Sequence, residues 1–390
     1  MLAVTNGKVY TVTSGTFDQG TVLIEKGIIR QVGPAGEVKI PPGADIIDAR
    51  GGPVTPGFID AHSHLGLAEE GVGWEGSDVN ELTDPVTPHL RAIDAINPEE
   101  RGLRDAVEGG ITAAWAAPGS GNVIGGQGVT IRTLGRTVEE MVLRGPWGLK
   151  VAFGENPKRV YGERKKSPAT RMATAGILRE WLVKGLNYLE KLDREPTDSE
   201  KPPERDLKLE AIARVLKREM PLRAHAHRAD DIMTALRIAR EFGVDLVIEH
   251  CTEGHKLASE LAEAGVPVVI GPSLTSRSKV ELKDRTLKTP GILARAGVKV
   301  ALMTDHPVIP VHFLPLCAGL AVREGMEEEE ALRAVTINAA EILGISDWLG
   351  SLEPGKEADV VVFDGHPFEL RTRVRYTIMR GKVVYERGED

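Results

Sequence analysis

The sequence predicts an α/β fold: a (β/α)₈ TIM-type barrel with a small β-sandwich built by both chain termini. Three observations support this prediction. The central part of the 390-residue chain alternates short apolar segments with amphipathic ones, the pattern of βα units around a parallel sheet. Both ends instead alternate apolar and polar residues between glycine turns, as short strands do. Several central apolar segments end in histidine or aspartate, and a barrel gathers its strand ends at one face.

The two ends of the chain have the same texture. Residues 1–55 contain short alternating strands, and similar strands return only in residues 346–390, for example at 358–363. Neither piece is long enough to bury much apolar surface alone. We therefore predict that 1–55 and 346–390 form one composite β-sandwich domain, packed against a barrel domain spanning 56–345.

The central region contains eight predicted strands, at 57–62, 111–117, 128–133, 149–154, 222–226, 245–249, 267–271 and 298–304. Amphipathic helices are predicted at 98–108, 207–218, 230–242, 255–264 and 289–296. A longer insertion, 155–221, separates the fourth strand from the fifth. It contains a predicted helix near 171–191 and a polar stretch, 193–206, predicted to be an exposed loop.

Composition excludes several classes of protein. The net charge is −8 with both signs scattered along the chain, so neither a nucleic acid nor a membrane is an expected partner. Cys251 and Cys317 are the only cysteines, which predicts a reducing compartment without a disulfide framework. No apolar run approaches the length of a membrane span. We expect a cytoplasmic enzyme that acts on a small molecule.

Four of the eight predicted strands end in side chains that bind metals, namely His62 and His64, His225 and His227, His250, and Asp305. Residues two apart on a strand share a face, so each His-x-His pair points to one side. Imidazole and carboxylate donors without thiolate favour a catalytic divalent ion over a structural zinc site. Such an ion activates water, and Asp305 is placed to accept and return its proton.

Five segments together resemble the amidohydrolase superfamily of metal-dependent hydrolases, and they are 56–64, 224–227, 248–250, 304–305 and 350–362. The resemblance covers essentially the full length and is closest to the imidazolonepropionase-like branch, which also holds prolidase-like dipeptidases. It implies metal binding by five residues: His62, His64, His225, His250 and Asp305. It also implies that Asp305 is the catalytic acid and base, and that His250 or His227 helps to hold the oxyanion. The implied metal is zinc, as one or two ions, with iron or manganese as alternatives, and relatives are often homo-oligomers.

Two ligand assignments stay open within this resemblance. Members with two metals bridge them through a carbamylated lysine or a glutamate on strand three or four, and this chain offers Lys150 or Glu155. Strand alternation places the two on opposite faces unless the turn at Gly154 redirects the chain, and we favour Glu155 because it lies nearer the carboxyl end. On strand five we favour His225 as the ligand, with His227 contacting substrate or supporting the ligands.

The substrate is predicted less sharply. Substrate-binding candidates near the strand ends are Lys158, Arg159, His227, Arg228 and His306, and the cations among them suit a carboxylate-bearing substrate. Deaminase relatives generally carry an acid three residues after the strand-five histidine, where this chain has Arg228. The favoured activity is therefore hydrolysis of an amide, peptide-like or cyclic amide C–N bond. Deamination of a heterocycle is the alternative, and a non-catalytic ligand-binding barrel is the third possibility.

Overall fold

The computed structural model describes residues 1–69, 73–193 and 204–388. These residues form eighteen β-strands and eleven α-helices. The strands are β1 (Leu2–Tyr10), β2 (Thr16–Glu25), β3 (Ile28–Pro34), β4 (Asp45–Asp48), β5 (Pro53–Pro56), β6 (Phe58–Ser63), β7 (Ile111–Ala116), β8 (Ile124–Gln127), β9 (Val129–Arg132), β10 (Val142–Arg144), β11 (Leu149–Ala152), β12 (Leu222–Ala226), β13 (Leu246–His250), β14 (Val268–Ile270), β15 (Val300–Leu302), β16 (Val360–Phe363), β17 (Val374–Met379) and β18 (Lys382–Glu386). The helices are α1 (Arg101–Glu108), α2 (Val138–Met141), α3 (Glu155–Glu163), α4 (Arg171–Asp193), α5 (Leu207–Leu216), α6 (Ala229–Phe242), α7 (Ala258–Ala264), α8 (Thr289–Arg295), α9 (Leu314–Arg323), α10 (Glu328–Ala334) and α11 (Ile337–Ile342).

Strands from both termini share one sheet, in the order β18-β17-β16-β5-β1-β2-β3 with β4 beside β1. The C-terminal strands join the N-terminal ones where β16 pairs antiparallel with β5, with Val361 opposite Thr55. Apolar side chains from both termini, including Val4, Ile24 and Val360, pack into one buried cluster. Hydrogen bonding therefore makes this terminal region a single continuous sheet of eight strands.

The central strands form two sheets, β10-β9-β7-β6 and β15-β14-β13-β12-β11-β8. The two sheets meet at Gly128, between β8 and β9, whose N–H donates to the Gly148 carbonyl over 3.0 Å. At the opposite edges, the Asp305 N–H donates to the His62 carbonyl over 3.2 Å, and the His64 N–H to the His306 carbonyl over 2.9 Å. These contacts bring the ends of the first and last strands together in a TIM-like arrangement, although no ladder joins β15 to β6 in the described chain.

The third predicted strand, 128–133, is present as β9, but its direction corrects the (β/α)₈ prediction. Strand β8 runs antiparallel to its neighbour β11, and β9 runs antiparallel to β7. Only residues 117–123 connect β7 to β8, whereas a parallel crossover needs a dozen or more residues. The short connection therefore reverses the chain, and the ring is not built from eight parallel repeats.

The other seven predicted central strands are confirmed to within a few residues, as β6, β7 and β11 to β15. The long insertion contains α3, α4 and α5. The Asp206 carboxylate caps α5 by accepting from the Lys208 and Leu209 N–H groups. Most of the loop predicted at 193–206 lies outside the described residues. Among the described helices, none has both the length and the apolar character needed to cross a bilayer.

The inside of the ring is apolar toward the amino ends of its strands. We call this cluster the apolar floor, and it consists of Ile59, Ala61, Ala113, Trp115, Ala117, Val247, Val269, Ala301, Met303, Ala339, Ala340, Ile342, Leu343, Ile345 and Leu349. Helix α11 closes this end, since the Asn338 side-chain amide donates to the Val300 carbonyl over 2.9 Å. The end of the ring that contacts α11 is therefore filled largely by apolar side chains.

Candidate metal centre

The first group of metal-binding side chains lies where β6 and β15 end. His62 Nε2 is 3.2 Å and His64 Nε2 is 3.3 Å from the same Asp305 carboxylate oxygen, Oδ1. We call these three residues the aspartate cluster. Their donor atoms lie within 4.8 Å of one another. The predicted convergence of the first and eighth strand ends is thus present in the structure.

Local irregularities in the backbone orient these side chains toward one another. The pairing of β6 with β7 changes register between Asp60 and Ser63, next to the His62 position. Asp305 has a φ of 57°, a left-handed conformation that is uncommon outside glycine and concentrated at functional sites. The buried Asp60 carboxylate ties the two strand ends together by accepting from the His62 N–H over 3.1 Å and the Thr304 N–H over 3.2 Å.

The second group comprises His225 and His227 on or after β12, and His250 at the end of β13. We call it the histidine cluster. Its ring centroids lie between 4.2 and 4.6 Å apart, and its donor atoms also fit within 4.8 Å. His250 has a φ of 68°, and the resulting bend brings it to the site although its neighbour Glu249 also points inward.

Hydrogen bonds orient two rings of the histidine cluster. His227 Nδ1 lies 2.7 Å from the Thr252 hydroxyl, and His250 Nδ1 lies 3.0 Å from the Gly271 carbonyl. In each case the Nε2 atom is left for another partner. His225 Nδ1 is buried without a hydrogen-bond partner in the described chain. Both His225 and His227 therefore reach the cluster, and their positions alone do not decide which of the two is the ligand.

The two clusters lie side by side. The ring centroids of His62 and His250 are 5.7 Å apart. All six side chains are largely buried; the most exposed are those of Asp305 and His64, at 13% and 11%. A small molecule would therefore approach from the side of Asp305 and His64.

Burial and neighbouring charges set the protonation of the site. Burial lowers the pKa values of His225 and His227 well below the usual histidine value, and the pKa of His250 to about 3. Burial alone would raise the pKa of Asp305, but hydrogen bonds from His62 and His64 outweigh it and hold that pKa well below its usual range. The histidine cluster thus offers neutral imidazoles, and the aspartate cluster offers an ionised carboxylate.

A buried charge network lies directly behind the aspartate cluster. The Glu249 carboxylate is 3.1 Å from His62 Nδ1, accepts from Arg223 Nε over 2.8 Å and is ion-paired with Lys150. Arg223 also lies over the Trp115 ring, 3.9 Å from its centroid, and donates to the Ala61 carbonyl over 2.7 Å. Although burial opposes it, the positive partners hold the pKa of Glu249 well below its usual range.

The structure places the two strand-four candidates differently from our preference. Lys150 is almost fully buried on β11, beside Glu249. Glu155 is the first residue of α3, belongs to neither cluster, and its N–H donates to the Glu281 carboxylate over 2.9 Å. The glycine turn at Gly154, with a φ of 79°, starts a helix and does not turn the Glu155 side chain into the clusters.

Of the predicted substrate-binding residues, His227 lies in the centre and the others do not reach the clusters. Lys158 and Arg159 are exposed on α3. Arg228 pairs with Asp230 at the start of α6, over 2.9 Å. His306 is buried against α1, with Nε2 3.9 Å from Glu100 and Nδ1 accepting from the Val311 N–H. Its position beside Asp305 in the sequence does not bring it to the site, because Asp305 and His306 point in different directions.

Several polar residues near the clusters were not predicted. Asn156 Nδ2 donates to the Ser120 hydroxyl over 2.7 Å and is 3.4 Å from His225 Nε2, while Lys279 donates to Asn156 Oδ1 over 2.6 Å. Glu281 Oε1 is 3.6 Å from His227 Nε2. Loop residues of this kind carry no periodic signal. Arg223 and Glu249 could have been found from the sequence. Each is a charged residue inside an apolar strand, and a charge is rarely buried there unless it is paired.

The donor set fits a divalent ion. Histidine nitrogen and carboxylate oxygen suit zinc and other first-row metals, the histidine cluster is neutral, and His225 Nδ1 has no other partner among the described residues. On a TIM-like ring with these groups at the strand ends, such a set is typical of metal-dependent hydrolases.

Comparison with known proteins gives the family. The Amidohydrolase family pattern matches residues 54–384. An amidohydrolase structure from Thermotoga maritima MSB8 shares 49% identity and a TM-score of 0.95, with 99% of this chain and all of that chain covered. The imidazolonepropionase of Sphingopyxis alaskensis is 27% identical over 97% of this chain and 96% of its own. Amidohydrolase tasK of Hapsidospora irregularis is 30% identical over 89% of this chain, which spans only 38% of that protein.

The chain belongs to the amidohydrolase family, as its sequence motifs predicted, and nearly its whole length is similar to an imidazolonepropionase. It is an enzyme that hydrolyses C–N bonds in small molecules. The family is metal-dependent, in agreement with the two clusters.

Proposed function

We propose that this enzyme hydrolyses an amide, peptide-like or cyclic amide C–N bond by means of one or two divalent ions, zinc in the first instance and iron or manganese otherwise. The observation that carries the proposal is the meeting of the aspartate and histidine clusters at the carboxyl ends of the strands. The similarity to an imidazolonepropionase over nearly the whole chain supports a cyclic or open amide as the bond.

We assign one ion to His62, His64 and Asp305, and the adjacent position to His225 and His250. A bound divalent ion lowers the pKa of water and polarises a carbonyl group. The Nε2 atom of His227 faces Glu281 Oε1 at 3.6 Å, which supports a contact with substrate rather than the ion. On the fourth strand the burial of Lys150 within the charge network supports Lys150 over Glu155 as the residue that shapes the site.

Asp305 moves the proton in this proposal. Its Oδ1 atom faces the Nε2 atoms of His62 and His64, where the ion would be held, so Oδ2 is the atom left to take a proton from the attacking water. The same oxygen then delivers that proton to the leaving nitrogen. The side chain of Asp305 is the most exposed of the six, which suits a group that must touch both water and substrate. His250, or His227, then helps to hold the oxyanion that develops on the carbonyl oxygen.

The proposal also covers the domain boundaries, the cellular compartment and the oligomeric state. The composite domain of 1–55 and 346–390 and the barrel domain of 56–345 are supported by the pairing of β16 with β5. Activity in the cytoplasm, and assembly into a homo-oligomer, remain predictions from the sequence.

Two substrate panels test the activity. Protein loaded with zinc, manganese or iron is assayed against dipeptides, N-acylamino acids and lactams, and in parallel for ammonia release from aminopurines and aminopyrimidines. Hydrolysis in the first panel, abolished by Asp305→Asn, supports the proposal. Ammonia release alone would make the protein a deaminase, and metal-loaded protein inactive on both panels would favour a ligand-binding barrel.

A further inference from the structure

We propose that Arg285 binds a carboxylate group of the substrate in a small cavity beside His250. The inference rests on the proposed function and names a substrate class for the same site: amides that carry a free carboxylate. Arg285 was not among the cations predicted from the sequence, and none of those cations reaches the clusters.

Arg285 lies in the segment 271–288, which connects β14 to α8 at the carboxyl end of the ring. The segment is anchored to the site at its first residue, because the Gly271 carbonyl lies 3.0 Å from His250 Nδ1. Between this anchor and Arg285 is a cavity of about 30 Å³. Its walls are formed by His250, Thr252, Ile270, Gly271, Pro272, Ser273, Arg285, Thr286, Leu287, Thr289, Pro290 and Ala321. The cavity thus combines one cation with hydroxyl groups, and no carboxylate lines it in the described part of the chain.

The Arg285 guanidinium has donors to spare. It is half-buried and donates one N–H, from Nη1, to the Thr275 hydroxyl. Its side chain makes no other hydrogen bond or ion pair among residues 1–69, 73–193 and 204–388. An arginine has five N–H donors and stays charged when partly buried. The remaining donors of Arg285 can therefore bind an anion.

The acidic residues nearby are already committed to other partners. Asp284, the preceding residue, pairs with Lys256 over 2.7 Å. Glu281 accepts the Glu155 N–H with one oxygen and has the other directed toward His227. No carboxylate of the segment is therefore left to neutralise Arg285.

The cavity is small, with a volume of about 30 Å³. An oxygen of a planar carboxylate is small enough to enter it end-on. Ser273 and Thr286 place hydroxyl groups beside the same space, and such donors complement an arginine–carboxylate pair.

Matched substrates test the inference. Wild type, Arg285→Met, Arg285→Lys and the control Lys283→Met are assayed on dipeptides and N-acylamino acids, each paired with its C-terminal amide. Lys283 is exposed in the same segment, so its replacement removes the same charge without touching the cavity. Thermal denaturation confirms that each variant is folded.

We expect wild type to prefer each acid over its amide by about tenfold or more in kcat/KM, the range of a charge-assisted hydrogen bond. Arg285→Met should abolish that preference by raising KM for the acids alone, Arg285→Lys should retain part of it, and Lys283→Met should leave it intact. Equal losses on acids and amides, or no loss on either, would overturn the inference.

A binding measurement separates this inference from the proposed function. N-acetylglycine and N-acetylglycinamide are titrated calorimetrically into wild type and Arg285→Met. If wild type hydrolyses nothing but binds the acid more tightly, and the variant loses that preference, the carboxylate site stands and the hydrolytic proposal falls. If wild type binds neither probe, or both equally, the carboxylate site is refuted whatever the activity.

Discussion

The aspartate cluster and the histidine cluster are neighbours with opposite electrostatic surroundings. In the aspartate cluster, an ionised carboxylate touches both histidines, and Glu249 stands behind His62. Burial lowers the pKa of His62, but Glu249 and Asp305 outweigh this and raise it. The histidine cluster contains no carboxylate, and burial keeps its three rings neutral.

This difference predicts an order of metal binding. A site that already contains negative charge gains more Coulomb energy from a divalent ion than a site of neutral rings. Lys150 and Lys279 also act on the histidine cluster, and each lowers the pKa of His225. The nearest carboxylate there, Glu281, has a pKa raised chiefly by burial. We therefore expect the first ion at the aspartate cluster, and each experiment below tests that asymmetry.

The largest effect is expected for Asp305→Asn. This change removes both the proton carrier and the one carboxylate of the aspartate cluster, so kcat should fall by about 10³-fold or more. Steady-state kinetics and elemental analysis of the purified protein measure the activity and the metal content. Asp284→Asn, which removes an exposed carboxylate paired with Lys256, is the control. Activity of the Asp305 variant within tenfold of wild type would contradict the assigned role.

Lys150→Met should be much more destabilising than a change at Glu155. It leaves Glu249 buried with one fewer cation, at a cost of about 3 kcal/mol in the free energy of unfolding. Glu155→Gln, at the start of α3, should change that free energy by less than about 0.5 kcal/mol. Urea denaturation of both variants gives the two values, and metal content measured alongside tests which residue supports an ion. Equal stability, with metal lost only from the Glu155 variant, would restore the original preference.

His62→Asn and His225→Asn compare the clusters directly. Competition with a zinc chelator should show a loss of affinity of about 50-fold for the tightest ion in His62→Asn, and of about tenfold or less in His225→Asn. His255→Asn, a half-buried histidine beside Thr289 and outside both clusters, serves as the control. The reverse order would mean that the histidine cluster binds first.

The smallest change in metal affinity is expected for Glu249→Gln. Glutamine keeps an oxygen that faces His62 Nδ1, but the charge that raises the pKa of His62 is gone, so zinc affinity should fall by about tenfold. Glu253→Gln, a buried acid four residues away that pairs with Lys256, is the matched control. If Glu249→Gln binds zinc as wild type does, the negative charge behind His62 is not what distinguishes the two clusters.

Much of this site could be predicted from the sequence because strand ends obey simple rules. Alternation placed His62 with His64 and His225 with His227, and the ring brought them to Asp305 as expected. The Lys150 and Glu155 pair was harder. Alternation separated the two, but it could not show that α3 begins at Glu155. Nearness to the strand end favoured Glu155, and the choice between the two residues stays a prediction.

What could not be predicted depends on single backbone conformations and on loops. The left-handed φ of His250 lets consecutive residues Glu249 and His250 both contribute to the site, which alternation forbids. The antiparallel course of β8 and β9 follows from the short connection between β7 and β8. The eight apolar segments look alike in the sequence, so they do not show by themselves that the chain reverses there. Arg285 and Glu281 lie in an irregular segment, where only the three-dimensional path decides which charges face the strands.

One glycine links the terminal sheet to the metal ligands. Gly57 alone separates β5, a central strand of that sheet, from β6, which carries His62. A Cβ at this position would lie 2.1 Å from the Thr112 hydroxyl, so the crossing is also tightly packed. The strand that presents the first two ligands is therefore a direct continuation of the other domain. Hydrogen exchange should find the two opening as a single cooperative unit, and loss of the C-terminal strands should loosen metal ligands that they never touch.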